Sequence, residues 1–341
     1  MYHTLLASLF LLVSINTTTQ AQDIHFSQIG RSPLNLNPAL TGIFEGDLRF
    51  TGNYRSQWNT IPVGYETFSG AVDMSFYNEN YDDHFFSGGL LLNHDVAGDS
   101  RLALTSFSLL GSYTKRMGRA HFLTLGLSGT ATQRYFDESG LQFDSQYSYE
   151  SRGYDAGMSN GEGFENFSKL LADVSAGLNW HYRIPRRDRR SNFDVGLGIL
   201  HFNQPNKSFE GTAYEKLPIR WSAYAFSEIQ LGSSPLDILA SAIYQYQEPH
   251  RELELGLGLQ FHLDTDPGEE TALNFGASWR NEDAITPFFG LRYQAWDVRA
   301  SYDVNTGFTQ ATGRRGGFEL SVLYVLSTIK PMEKKICPIY L

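Results

Sequence analysis

The sequence predicts an all-β protein: a transmembrane antiparallel β-barrel of about 14 strands with a short N-terminal plug or periplasmic arm. Three observations carry that reading. Apolar and polar residues alternate with period two in run after run. No segment beyond the N-terminus supplies the roughly 18 apolar residues of a membrane helix. The connections between runs alternate between short and long. The clearest run, 252–263, reads Glu-Leu-Glu-Leu-Gly-Leu-Gly-Leu-Gln-Phe-His-Leu. Its leucines and Phe261 face one side of an extended strand, and Glu252, Glu254, Gly256, Gly258, Gln260 and His262 face the other. A soluble sandwich strand also alternates, but its polar face normally carries Thr, Lys or Ser. A uniformly apolar face opposite glycine and ionisable groups suits lipid outside and a crowded polar lumen inside.

Residues 1–21 open the chain as an expected signal peptide. Leu5–Ile15 is an apolar core, and the small residues Thr19 and Ala21 suit cleavage that leaves Gln22 as the mature start. No Lys or Arg stands near Met1, which departs from the usual pattern. Residues 22–46 hold Pro33, Pro38, Gly42 and Gly46 and do not alternate, so they form either a periplasmic arm or a plug. The barrel, 47–329, follows with strands expected near 47–58, 65–77, 84–95, 101–115, 120–135, 168–183, 192–202, 217–231, 236–247, 251–263, 271–280, 285–293, 295–304 and 316–329. Trp180, Tyr182, Tyr244, Tyr246, Trp279 and Trp296 fall at the ends of apolar stripes, as in interfacial girdles. Long connections follow odd strands, around 136–167, 203–216 and 305–315, and most turns after even strands are short. Long loops belong outside the cell, so both termini, including the 330–341 tail, are placed in the periplasm.

Composition narrows the function. The 341 residues carry a formal net charge of −10, which argues against a nucleic-acid binder. The single cysteine, Cys337, excludes an internal disulfide and lies at the wrong end for a lipid anchor. Arg186–Arg190 reads as a solvated turn. Gly98-Asp99-Ser100-Arg101-Leu102 superficially matches a hydrolase serine block but lacks a placed His or Asp. Asp264–Glu269 has oxygen ligands at alternate positions without the spacing of a full calcium loop, and Asp-Pro-Gly is turn chemistry. The nine histidines show no metal-ligand spacing. No catalytic residue, cofactor site or metal site is expected. Arg49, Arg55, Asp73, Asp173, Arg280, Arg292, Arg299 and Asp303 point inward and form an expected lumen network. The glycines of Gly196-Leu197-Gly198 and Gly256-Leu257-Gly258 let lumen contents approach the wall.

Three blocks add a resemblance. Gln22-Asp23-Ile24-His25-Phe26-Ser27-Gln28, Pro33-Leu34-Asn35-Leu36-Asn37-Pro38-Ala39-Leu40-Thr41-Gly42 and Asn53-Tyr54-Arg55-Ser56-Gln57-Trp58 resemble the PorP/SprF family of outer-membrane proteins of the type IX secretion system. Tyr65-Glu66-Thr67, Gly316-Gly317-Phe318-Glu319 and Cys337-Pro338 match further, whereas Ile339-Tyr340-Leu341 departs from the family's Arg-Phe ending. The resemblance implies a non-enzymatic barrel in the outer membrane. Its implied partners are other secretion components and a large secreted, adhesin-like protein with a C-terminal sorting domain. Asn35, Asn37, Pro38, Arg55 and Trp58 are the candidate partner-docking or plug residues. A FadL-like or porin-like passive channel for small solutes is the alternative.

Overall fold

The computed structural model describes residues 23–327 apart from 58–63, 77–82, 99–100, 138–140, 142, 149–151, 156, 160–167, 185–189, 210–213, 266–268 and 307–314. The expected signal peptide, Trp58 and the tail with Cys337 lie outside the described residues. Sixteen strands occur among the described residues, and fourteen of them close one barrel. These are β1 (Leu48–Gln57), β2 (Tyr65–Phe76), β3 (His84–Ala97), β4 (Leu102–Arg116), β5 (His121–Tyr135), β8 (Ser168–Arg183) and β9 (Asn192–Leu200), followed by β10 (Arg220–Gln230), β11 (Leu236–Gln247), β12 (His250–Asp264), β13 (Thr271–Arg280), β14 (Ala284–Tyr293), β15 (Trp296–Asn305) and β16 (Arg315–Leu326). Every neighbour is antiparallel, and β1 pairs with β16 to complete the ring, so no edge is left unpaired.

The expected strands and the observed ones differ only at their ends, for local reasons. β9 stops at Leu200 because His201 takes a left-handed φ of 58°. β10 starts at Arg220, since Pro218 has no N–H to give the ladder. Between β5 and β8 a small hairpin, β6 (Tyr147–Ser148) with β7 (Gly153–Tyr154), folds inside the insertion; no alternation announced it.

The wall is inside-out relative to a soluble protein. On β12, Leu257 is 65% exposed while Gln260, three residues on, is 1% exposed. Trp221, Trp279, Tyr244 and Tyr246 stand on the outer surface near one rim, and Trp180, Trp296 and Tyr293 near the other. Inside, polar side chains dominate: Ser69, Asn93, Thr124, Asn179, Asn274 and Ser321 are all buried. Leu48 pairs with Leu326, so the barrel begins and ends at the same rim. The 136–167, 201–219 and 306–314 connections leave the opposite rim, as the loop lengths predicted.

Candidate functional site

Residues 23–46 fill the lumen. Pro33 and Pro38 each start a short turn, because the proline ring presets the helical φ and the lost N–H would be unbonded there anyway. The α-helical turn α1 (Pro33–Leu36) ends at Asn37, which is extended (φ −159°, ψ 126°) as a residue before proline prefers to be. A 3₁₀ turn, Pro38–Leu40, follows. The arm is therefore a chain of single turns, compact enough to pack across a barrel. It begins at the long-loop rim, where Asp23 meets residues at the ends of β9, β10 and β11. It leaves at the short-turn rim, where the Asp47 N–H donates to the Leu326 carbonyl at 2.8 Å.

The first half of the arm is gripped by charge. Asp23 lies 2.5 Å from His201 Nε2 and 3.6 Å from Arg220, and His201 Nδ1 lies 3.3 Å from Asp173. Burial alone would lower the His201 pKa, but Asp23 and then Asp173 reverse this and raise it to about 9. Burial likewise pushes the Asp23 carboxyl up, and His201 with Arg220 more than offsets that, holding it well below the carboxylate range. His25 is pushed below its ordinary value, by burial first and then by Arg280, Arg55 and Arg220. Its Nδ1 lies 3.4 Å from Glu252, and its Nε2 accepts from Arg280 at 2.8 Å. Glu319 accepts from the backbone N–H groups of Ser27 (2.6 Å) and Gln28 (3.1 Å). Asp303 gathers Ser27, Arg55, Arg280 and Thr286. Arg31 closes on Asp297 at 2.8 Å.

The second half sits on small residues. One cross-strand row on the inner face runs Ser112, Gly126, Gly177, Gly198 and Ser222 across β4, β5, β8, β9 and β10. A Cβ at Gly177 would fall on the Asn37 side chain, and one at Gly126 on the Pro38–Ala39 peptide. The row is shaped to the turn that lies on it. At its two ends Ser112 donates to the Thr41 carbonyl (2.8 Å) and Ser222 to the Leu36 carbonyl (2.9 Å). Asn37 is fully buried: its Oδ1 accepts from the Ala39 N–H, and its Nδ2 reaches the Leu197 carbonyl at 3.0 Å and the Leu178 carbonyl at 3.2 Å. Asn35 and Asn93 exchange amide hydrogen bonds at 3.2 and 2.8 Å. Two apolar patches of the wall receive the arm's own apolar side chains. Tyr224 and Ile243 take Phe26, Ile29, Leu36 and Leu40, and Leu91 and Leu110 take Leu34.

Asn35, Asn37 and Pro38 thus come together in the plug, and Arg55 grips it from β1 by donating to the His25 carbonyl at 2.8 Å. Most of the inward charges pair as an ion network, with Arg49 on Asp73 at 2.7 Å, Arg55 and Arg280 on Asp303, Asp173 near His201 and Arg292 near Asp297; Arg299 instead donates to Asn274 at 3.1 Å and lies over the Phe288 ring. The sequence reading missed Asp23, His201, Tyr224 and Glu319, whose partners lie far away in the chain. Gly126, Gly177 and Gly198 were legible in part, because a glycine at an inward position of a strand signals close approach from within. Glu228, Asp237 and His262 also converge, near the short-turn rim. Arg190 takes both oxygens of Asp237, His262 lies 2.7 Å from it, and Gln260 donates to Glu228, so the trio is tied into a charge network.

The model of the type IX secretion system membrane protein PorP/SprF matches residues 18–324. The chain belongs to this family. Barrel and family together point to an outer-membrane β-barrel. Among solved structures the chain is similar to the Ralstonia pickettii toluene transporter TbuX, at 11% identity and TM-score 0.52, covering 87% of this chain and 93% of that one. It is similar too to a deletion mutant of the monoaromatic hydrocarbon channel TodX, at 10% identity and TM-score 0.50, covering 85% and 93%. At such identities the likeness shows the fold alone. A search of curated proteins finds no match.

Proposed function

We propose that this barrel supports secretion or surface attachment of a large secreted partner of the type IX system, an adhesin-like chain with a C-terminal sorting domain, working with other components of that system. One observation carries the reading beyond family membership: the lumen is occupied by the protein's own arm, whose first residues stand at the rim with the long loops. Long loops mark the cell exterior in barrels of this kind, so Asp23 to His25 and the described residues beside them, from His201 to Arg220, offer a docking rim. Asn35, Asn37 and Pro38 are buried beneath it and serve the plug. Arg55 ties plug to wall. Such a barrel holds a partner at the surface without opening a hole.

Passive conduction of small solutes is the second reading. A cavity of about 290 Å³ between Gln28–Arg31 and the β10–β14 wall, lined by Glu228, Gln260, Arg292 and Arg299, favours it. Deleting the gene separates the two. Loss of one large surface protein with small-solute uptake intact supports the secretion role; an unchanged surface with lost uptake of a small solute supports the channel. Fractionation should recover the protein with the outer membrane.

A further inference from the structure

The cavity of about 290 Å³ between Gln28–Arg31 and the wall owes its shape to residue size. Phe226 on β10 and Phe288 on β14 form two sides, and between them β11, β12 and β13 contribute only Ser241, Gly256, Gly258 and Ser278. The arm closes the top with Gly30, where a Cβ would press on the Phe226 ring at 3.2 Å. Both phenylalanines lie on the inner face and remain part-exposed, because they border this open volume. One end is cationic. Arg31 and Arg292 share Asp297 at 2.8 and 3.4 Å, and Glu228 is held by Gln260 and Asn192. Arg299 has no ion pair among the described residues. Its Nε donates to Asn274 at 3.1 Å and its Cζ stands 4.4 Å from the Phe288 ring centre, while its Nη groups meet no acceptor there. In the roof, Gln28 Oε1 is buried without a partner.

We propose that this cavity binds a small hydroxylated aromatic carboxylate, clamped between plug and wall. A cavity of about 150 Å³ takes benzene, so this one has room for a ring with its carboxylate and hydroxyl. Phe226 and Phe288 supply ring contacts from two sides. The unpaired fork of Arg299 matches the two oxygens of a carboxylate. Charge agrees: three arginines stand at this end against Asp297 and Glu228, and one further negative charge completes the set. The acid Glu254 lines the far end, roughly 20 Å along β12 from Gln260, whose cross-strand row reaches Arg299 through Asn274 and Gly290. It turns the ligand's carboxylate toward the arginines. The hydroxyl then answers Gln28 Oε1. Water alone would satisfy Arg299 and Gln28 but would leave two aromatic rings wet. Arg292, with 31% of its side chain exposed, stands beside the Tyr293–Trp296 turn, so a ligand enters from the short-turn rim. Such a ligand ties the arm to the wall whether the barrel serves secretion or conduction.

Titration calorimetry of the full barrel in detergent with para-hydroxybenzoate tests this. Wild type should bind one equivalent, roughly tenfold or more tighter than the uncharged methyl ester of the same acid. Arg299→Gln keeps a donor for Asn274 but removes the charge, and it should lose a similar factor. Arg116→Gln, which removes an exposed turn cation far from the cavity, should match wild type. No binding, equal affinity for acid and ester, or equal affinity in wild type and Arg299→Gln overturns the proposal. Inorganic phosphate bound as tightly as the aromatic acid overturns it too, since the cavity would then be a plain anion site. Hydrogen exchange on wild type locates the ligand. Protection of residues 28–31 should rise on saturation, and binding without that rise puts the ligand elsewhere and overturns the site. If Arg299→Gln does not fold, the acid-against-ester comparison and the exchange measurement on wild type decide.

Discussion

The two halves of the arm are held by different balances of charge and shape. Residues 23–31 sit in a cage of ion pairs built from β1, β10, β13, β15 and His201 just past β9, with Glu319 of β16 accepting from two backbone N–H groups; residues 32–42 rest largely on glycine, serine and buried amides of β3–β5 and β8–β10. The first grip is strong when every charge is paired and expensive when one is lost, because an uncompensated buried charge is far worse than a missing pair. The second depends on shape where the turns lie on the small-residue row, and charged groups hold its backbone on either side: Arg220 donates to the Asn35 carbonyl at 2.7 Å, Arg49 to the Leu40 carbonyl at 3.1 Å, and Asp73 accepts from the Gly42 N–H at 2.8 Å. Conditions that alter ionisation should therefore loosen the arm from its outer end, while a single added methyl should unseat its inner end.

Removing Asp303 breaks the first grip most severely. Asp303→Ala leaves Arg55 and Arg280 buried without their shared carboxylate and should destabilise by about 3–5 kcal/mol in urea titrations of the barrel folded in vesicles. Asp303→Asn, keeping an acceptor, should lose less; equal losses would show that charge is not what holds this half.

Leu257→Arg tests whether wall and plug can be separated. Leu257 is 65% exposed at the centre of β12, so arginine there should cost about 2–4 kcal/mol of barrel stability while leaving the arm's protease protection unchanged. Unaltered stability would mean that this face does not meet lipid.

The seat breaks by volume. Gly177→Val places methyls where the Asn37 amide lies and should destabilise by about 1–3 kcal/mol, with the arm becoming cleavable in folded barrels. Gly129→Ala on the same sheet, where no atom stands within 4 Å, is the silent control. An arm still protected in Gly177→Val would remove the small-residue row from the account.

The smallest effect is the pH response of the outer latch. His201 is raised to about 9 from 6.5, so its contribution is complete below pH 6.5 and fades as pH rises through 9. Asp23 is depressed, so its share is present above its ordinary value of 3.8 and is lost as pH falls through its folded value. Protection of the arm's first residues should peak between about pH 4 and 6.5 and decline toward pH 9, with His201→Gln flattening the alkaline limb. Hydrogen exchange at residues 24–28 measures it.

Much of the wall was legible because its signal is local. Period-two alternation on Leu253–Leu263, girdle aromatics such as Trp279 and Trp296, and loop lengths are all read within one strand or its turn. The inward charges were legible as a set but not as pairs. Arg55 and Asp303 meet across 248 positions, and either could have chosen another partner. The Pro-broken arm was recognisable as something other than wall, yet whether it hung free or filled the lumen turned on Asn35 meeting Asn93 and Asn37 meeting the carbonyls of Leu178 and Leu197.

By itself the sequence determined which face of each strand meets lipid, that about fourteen strands build the wall and which rim carries the long loops, since alternation and turn chemistry are properties of neighbouring residues; the exact ring of fourteen came from the structure. Only the tertiary structure decided that the arm threads from rim to rim, that three glycines on separate strands align into one seat and that Asp23 finds His201. Those contacts exist only once ring closure fixes the strand register, and register is set by the whole barrel.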